Sequence, residues 1–239
     1  VANPALAQAA VLSQTVAGAT CSATFGSNTT TGNTVVVLAC GYDGATLRTV
    51  SSITLGVTQN LSKQIAQPGV ASSYTSSEGW ALANITGGTL PVVLVTFSGT
   101  VTLANVWIME WTNMPTALAL DGSKGGTGTG NFSLGTINVA NSPSVAFAIC
   151  STDGAASAAG SGWTGVIPST TDNLLEYQIF SAAQPALTAT GTNTSSWGGV
   201  VFALDGIGGA TTAAVTMTAK AGIKTPAPYT LSKDTITAK

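Results

Sequence analysis

The run Thr34-Val35-Val36-Val37-Leu38-Ala39-Cys40 decides the class of fold. Its apolar residues are consecutive, not spaced at three and four, and β-branched Val dominates them. It is short for a buried helix, and it sits between Gly32-Asn33 and the turn signal Asp43-Gly44. Those features read as a β-strand covered on both faces. The same pattern occurs a second time. Val145-Ala-Phe-Ala-Ile-Cys150-Ser-Thr-Asp153-Gly154-Ala155 aligns without gaps on Val35-Val-Val-Leu-Ala-Cys40-Gly-Tyr-Asp43-Gly44-Ala45, at an offset of 110 residues. A jelly roll of two similar halves would give such a pair. Chance convergence of two strand–turn units leaves the same trace, with each Cys then a small hydrophobe at a strand end.

Outward from these runs, short β-like segments alternate with Gly, Asn, Ser and Thr clusters, and no 3.6-residue apolar period stands out beyond the first dozen residues. The clearest strands are expected at Thr34–Cys40, Val50–Gly56, Gly79–Ile85, Leu90–Ser98, Val106–Thr112, Gly135–Val139, Ser144–Cys150, Leu174–Phe180, Leu187–Thr190 and Trp197–Leu204. Leu175, Tyr177 and Ile179 alternate with Glu176 and Gln178, as in a half-exposed strand. Composition agrees: of 239 residues 44% are hydrophobic and only 7% charged, while Thr occurs 38 times and Gly 28 times. Uncharged polar groups must keep such a surface wet, which suits an all-β protein. The expected fold is an antiparallel, two-sheet, jelly-roll-like β-sandwich over 30–206. A segment over 1–29 with a first strand precedes it, and an extended arm over 207–239 follows.

Several kinds of function drop out. His is absent, which removes Ser-His-Asp, Cys-His and most zinc-hydrolase chemistry. One Arg and six Lys give no basic stripe for nucleic acid. Apolar runs such as Pro91-Val92-Val93-Leu94-Val95 fall far short of a membrane-spanning helix. The first residues lack the basic flank of a signal peptide, although a leader already removed would leave no trace. Cys21, Cys40 and Cys150 are too few for a disulfide scaffold. They are read as buried free thiols. The alternative is a Cys21–Cys40 bridge across a hairpin centred on Gly26–Asn33.

Without imidazole, acid–base catalysis would fall to carboxylate pairs, and glycoside hydrolysis is the reaction that needs two. The candidates are Glu110, Asp121, Asp172 and Glu176, and no catalytic pair emerges from their spacing. Glu110 shares a strand face with Val106 and Ile108, where burial would raise its pKa; otherwise the strand leaves the core there and the carboxylate meets solvent or caps a loop. The glycines from Asp121 to Gly130 lack the Gly-Lys-Ser/Thr order of a phosphate loop and read as a flexible crossing between strands. The Asp-Gly turns at Asp43 and Asp153 offer too few oxygens for calcium. No metal or cofactor is expected. Tyr42, Trp80, Trp163 and Trp197 are candidates for stacking on a glycan, with core packing the competing role.

Charge divides the chain near Gly206. Residues 1–206 carry a net −5 and residues 207–239 a net +3. The basic part, with Lys220, Lys224, Pro226, Pro228, Tyr229 and Lys233, cannot build a core of its own. It reads as an assembly arm docked on a neighbouring subunit or on its own acidic body, or as a strand added to the edge of its own sheet.

One resemblance rests on strand order. Thr31-Gly32-Asn33-Thr34-Val35-Val36-Val37 is followed by Val50-Ser-Ser-Ile-Thr-Leu-Gly56, Pro91-Val-Val-Leu-Val-Thr-Phe97-Ser-Gly99, Trp107-Ile-Met-Glu110-Trp111 and Trp197-Gly-Gly-Val-Val-Phe-Ala-Leu204. This order resembles β-sandwich modules of bacteriophage tail, fibre and capsid-associated proteins. The resemblance covers about 30–206. It implies a non-enzymatic structural role in the virion, as a capsid decoration (cement) protein or a tail or fibre component. The implied partners are copies of itself and other virion proteins, and it offers no catalytic residues to transfer. The alternative, from another class, is a carbohydrate-binding module that meets a host surface glycan through its loop Trp and Tyr residues.

Overall fold

The computed structural model describes residues 2–14, 16–68, 75–152, 158–165 and 173–208. Within them the chain is all-β, with four antiparallel sheets and no helix. The strands are β1 (Ala5–Gln14), β2 (Gly18–Thr24), β3 (Thr34–Tyr42), β4 (Val50–Leu55), β5 (Gln59–Asn60), β6 (Ser62–Pro68), β7 (Thr75–Leu82), β8 (Val92–Val101) and β9 (Leu103–Thr112). The second half holds β10 (Leu120–Thr129), β11 (Phe132–Val139), β12 (Ser144–Thr152), β13 (Ala158–Ala159), β14 (Thr164–Gly165), β15 (Leu174–Phe180), β16 (Gln184–Thr192) and β17 (Ser196–Asp205). Each of the ten segments read from sequence overlaps a strand, although Gly79–Ile85 runs three residues past the end of β7.

Where the sequence led to one two-sheet sandwich over 30–206, the described residues hold four sheets in two sandwich-like pairs, and β1 and β2 of the 1–29 segment belong to the first pair. In the first half an inner sheet, β1-β9-β3-β7-β6, packs on an outer sheet, β2-β8-β4-β5. In the second half an inner sheet, β10-β17-β12-β15-β14, packs on an outer sheet, β11-β16-β13. The two inner sheets then pack on each other. Pairing is nested: β1 with β9, β2 with β8, β3 with β7 and β4 with β5, then β10 with β17, β11 with β16 and β12 with β15. Each half is therefore a long hairpin rolled up so that its strands divide between two sheets, the chain changing sheet at most steps but not from β4 to β5, β6 to β7 or β14 to β15. The four-sheet count explains the continuous apolar runs. β3, β9, β12 and β17 have a hydrophobic layer on both sides, so alternation with polar residues is lost.

Side-chain direction refines the internal repeat. In β3, Val35, Val37 and Ala39 face the first sandwich's own core, and Val36, Leu38 and Cys40 face the other sandwich. In β12, Val145, Phe147 and Ile149 face the other sandwich, and Ala146, Ala148 and Cys150 face their own core. The gapless alignment is thus one residue out of phase with the structure, because a shift of one reverses the face of every side chain in a strand. The thiols follow suit. All three cysteines are buried and free, Cys21 lies in the first sandwich's core, and Cys40 points away from it into the central layer, so the Cys21–Cys40 bridge is not formed.

The central layer is the most aromatic. The Trp111 ring meets Phe147 edge-on at 5.3 Å and Tyr177 at 5.2 Å between centroids, and Phe147 lies 5.3 Å from Phe202. Gly79 lets the sheets close, since a Cβ there would enter the Phe202 ring. The glycine-rich stretch expected as a flexible crossing is instead the edge strand β10. Its glycines are steric in purpose: a Cβ at Gly128 would stand 2.7 Å from the Trp197 ring, and one at Gly125 would collide with Gln67. Residues 113–119 link the halves at one end of the stack. There Ile207 N–H donates to Asn113 O (3.0 Å), and the Asn113 amide donates to Asn3 O (2.9 Å).

Candidate functional site

Nine charged residues lie among those described, and five of them are buried carboxylates: Glu78, Glu110, Asp121, Glu176 and Asp205. A buried carboxylate needs donors or a proton. The five meet that need differently.

Glu110 ends β9 facing its own sandwich and is fully engaged by uncharged donors. It accepts from Thr30 N–H (2.7 Å), the Asn33 amide (2.6 Å) and the Gln8 amide (2.6 Å). It therefore caps the loop between β2 and β3, one of the roles expected from the sequence. The second sandwich repeats the device with different chemistry. Asp121, at a register shift in β10, accepts from Ala140 N–H (3.1 Å) and Asn141 N–H (2.7 Å). Asp205, at the end of β17, accepts from the Asn141 amide through Oδ2 (3.2 Å), its Oδ1 is buried without a hydrogen bond among the described residues, and Asp121 is its charged neighbour. Where Gln8 supplies an amide in the first sandwich, Asp121 supplies a second acid. Burial, and then the Asp121 charge, push the Asp205 carboxyl above its ordinary value.

Glu78 was not singled out from the sequence. It is wholly buried in β7 and binds Lys63 Nζ at 2.7 Å, Val50 N–H at 2.6 Å and Trp80 Nε1–H at 3.2 Å. Lys63 also lies over the Trp80 ring, 4.9 Å from its centroid, with its head reaching the surface. The signal available was a Lys and a Glu in neighbouring strands, but only the β6–β7 register places them together.

Glu176, on the core face of β15, accepts from Gly160 N–H (2.8 Å) through Oε2, while Oε1 is buried without a partner. Burial raises its pKa to about 7. Gly160 also lines a shallow groove of ≈ 440 Å³ bounded by Asn131, Ser133, Ser161, Thr190 and Thr192. The groove offers small polar groups and no charge.

The expected stacking residues do not gather at one surface. Trp80, Trp163 and Trp197 are at most 8% exposed and belong to the two sandwich cores; only Tyr42, at the end of β3, is half-buried. Asp153, Asp172 and the arm residues Lys220, Lys224, Pro226, Pro228, Tyr229 and Lys233 lie outside the described residues. Among the described residues no group of three or more His, Cys, Asp or Glu could hold a metal ion, and no helix is long and apolar enough to cross a membrane.

The outer faces remain. On the first outer sheet, β2, β8 and β4 present cross-strand rows: Thr20, Thr96 and Ser52; then Ser22, Leu94 and Thr54; then Thr24 and Val92. Val92 and Leu94 are 41% and 38% exposed. The second outer sheet presents Ser133 beside Thr190, and Thr136 beside Thr188 with hydroxyls 3.2 Å apart. None of these positions is charged. Arg48 is paired with Asp43 at 3.0 Å and Lys63 with Glu78, which leaves Lys124 on β10 as the one charged group outside both an ion pair and the buried set among the described residues. No family model matches the chain, and no curated protein or solved structure matches it.

Proposed function

We propose that the chain is a structural subunit of a bacteriophage particle, a capsid decoration protein or a component of the tail or fibre. In this reading its halves are tandem jelly rolls that pack against copies of the chain and neighbouring virion proteins, and the chain carries out no reaction. The observation that carries the proposal is the scarcity of charge at the surface. Charge depletion marks the centre of protein–protein interfaces, and both outer sheets combine it with cross-strand rows of Thr and Ser, joined on the first by Val92 and Leu94. The described carboxylates support the same reading, since each is occupied in holding loops or strands. The basic segment after Gly208 would add contacts to acidic neighbours. A glycan-binding module is less well supported, because three of its four expected aromatics lie in cores.

Light scattering on the full chain tests the proposal. A stable oligomer is expected, with an interface above roughly 1,000 Å² per association. Reversing the arm's charge with Lys220→Glu, Lys224→Glu and Lys233→Glu is expected to weaken the oligomer. A chain that stays monomeric at high concentration overturns the proposal, and glycan-array binding by that monomer would establish the alternative.

A further inference from the structure

Four sheets have eight edges, and seven of them are blunted among the described residues. β5, β13 and β14 are two residues long. β6 carries Lys63, Pro68 and a register shift. β10 carries Asp121, Lys124 and a register shift. β11 has two register shifts, and β2 keeps only Thr20–Thr24 in regular register after its own. These are the devices by which edge strands avoid pairing with other chains. β1 is the exception. After a shift between Leu6 and Gln8 it runs in regular register from Gln8 to Gln14, with no charge, Pro or Gly. Among the described residues its backbone has no hydrogen bond to another backbone beyond the ladder with β9.

Among the described residues its side chains are also only partly covered on both faces. Ala9 and Val11 are partly buried against the central layer, and Ala10 and Leu12 against the first sandwich's core. Another strand laid alongside would extend both layers at once. We infer that β1 is a self-pairing edge, on which β1 of a second copy of this chain docks antiparallel about a two-fold axis.

The sequence of β1 fits itself. With the axis at Val11, Gln8 stands opposite Gln14 of the second copy, Ala9 opposite Ser13, Ala10 opposite Leu12 and Val11 opposite Val11. Small residues meet large ones at Ala10 and Leu12, and no like charges face each other. A two-fold axis perpendicular to the sheet keeps both copies the same way up, so central layer continues into central layer and outer core into outer core. The two inner sheets then form one continuous ten-stranded sheet. A charged strand could not pair with itself in this way without repulsion. The inference deepens the proposed function by naming one of its contacts, and rests on that reading for the premise that copies of the chain meet.

The test uses the full chain. Val11→Cys places two thiols at the two-fold axis, within the Cα separation a disulfide spans, whereas Ala5→Cys, outside the paired run, does not. Under mild oxidation Val11→Cys is expected to form a covalent dimer and Ala5→Cys to stay monomeric. Val11→Lys is expected to halve the sedimenting mass, because its ammonium can snorkel past a free edge but not out of a paired one. Its melting curve at low concentration reports whether it folds. In the wild type, amide exchange over residues 8–14 is expected to slow as concentration rises, and this needs no variant. Failure of Val11→Cys to cross-link, or exchange over 8–14 that ignores concentration, overturns the inference. An oligomer whose mass Val11→Lys leaves unchanged overturns the edge pairing alone, while a wild-type monomer overturns both it and the assembly reading.

Discussion

Gly160 and Glu176 share one hydrogen bond of 2.8 Å, and among the described residues it is all that holds the carboxyl: Oε2 receives the Gly160 amide and Oε1 receives nothing. Such a group keeps its proton longer folded than unfolded. Its ordinary value of 4.5 rises to about 7 through burial. The stabilisation from the neutral acid is therefore complete below the unfolded value and is lost as pH climbs through the folded one. Between pH 4.5 and 7 the chain is expected to lose about 3 kcal/mol from this residue. Urea titrations across that range, wild type against Glu176→Gln, measure it. The variant should flatten the dependence, and parallel curves would rule Glu176 out as its source.

The two sandwiches offer an internal comparison at their linker ends. Glu110 has the Gln8 amide for a neighbour, whereas Asp205 has Asp121. Asp205→Asn recreates the amide–carboxylate arrangement, leaving Asp121 its two backbone donors and giving it a third. At pH 7 and above the variant is expected to be more stable than the wild type by about 1 kcal/mol, with the advantage shrinking as acid protonates Asp205, whose carboxyl sits above its ordinary value. Thermal melts at two pH values check it. A destabilised variant at pH 7 would mean that the acid pair is not strained by its own charge.

Among the described residues Lys63 is the only cation that Glu78 touches, and Glu78 is wholly buried. Removing the ammonium leaves a carboxylate with two neutral donors in a closed core, a loss only partly moderated by the exposure of the Lys63 stem. Lys63→Met is expected to cost about 2–3 kcal/mol. Lys63→Met combined with Glu78→Gln should recover much of that loss, and chemical denaturation of the single and double variants measures the coupling.

Most of the fold was legible because strand runs are local. Val35–Cys40 and Val145–Cys150 announce covered strands whatever surrounds them. What a run cannot say is what covers it: Val36 and Leu38 face the second sandwich while Val35 and Val37 face the first, so one two-sided strand was consistent with any number of layers. β1 was hard to read because Ala has little β preference and the Ala7 irregularity breaks its alternation. β10 was hidden by glycines that make way for Trp197 and Gln67, residues distant in sequence.

The site residues were less legible for a related reason. Glu110 drew attention through its apolar neighbours, and its loop-capping role followed from its place at a strand end. Glu78 had no such signal, since its partner is set by the β6–β7 register. The tryptophans mislead in the opposite direction. Trp163 sits among turn residues in the sequence and Trp197 directly follows a Thr/Ser cluster, yet their rings fill the core between the second pair of sheets.

Gly79 and Phe202 show how closely the two sandwiches depend on each other. A methyl group at Gly79 would enter the Phe202 ring, in a layer also packed by Trp111 and Phe147. Gly79→Ala is therefore expected to cost about 1–3 kcal/mol through overpacking. The cost should fall on the contact between sandwiches, because the core that each sandwich encloses is untouched. Trp107 and Trp111 lie in that contact, so their fluorescence should change at lower urea than the far-ultraviolet dichroism of the strands, splitting a transition that coincides in the wild type. Gly88→Ala, where a Cβ meets nothing within 4 Å, is the control and should shift neither probe. If fluorescence and dichroism still coincide in Gly79→Ala, the two sandwiches unfold as one unit and the central layer is no weaker a seam than the cores on either side.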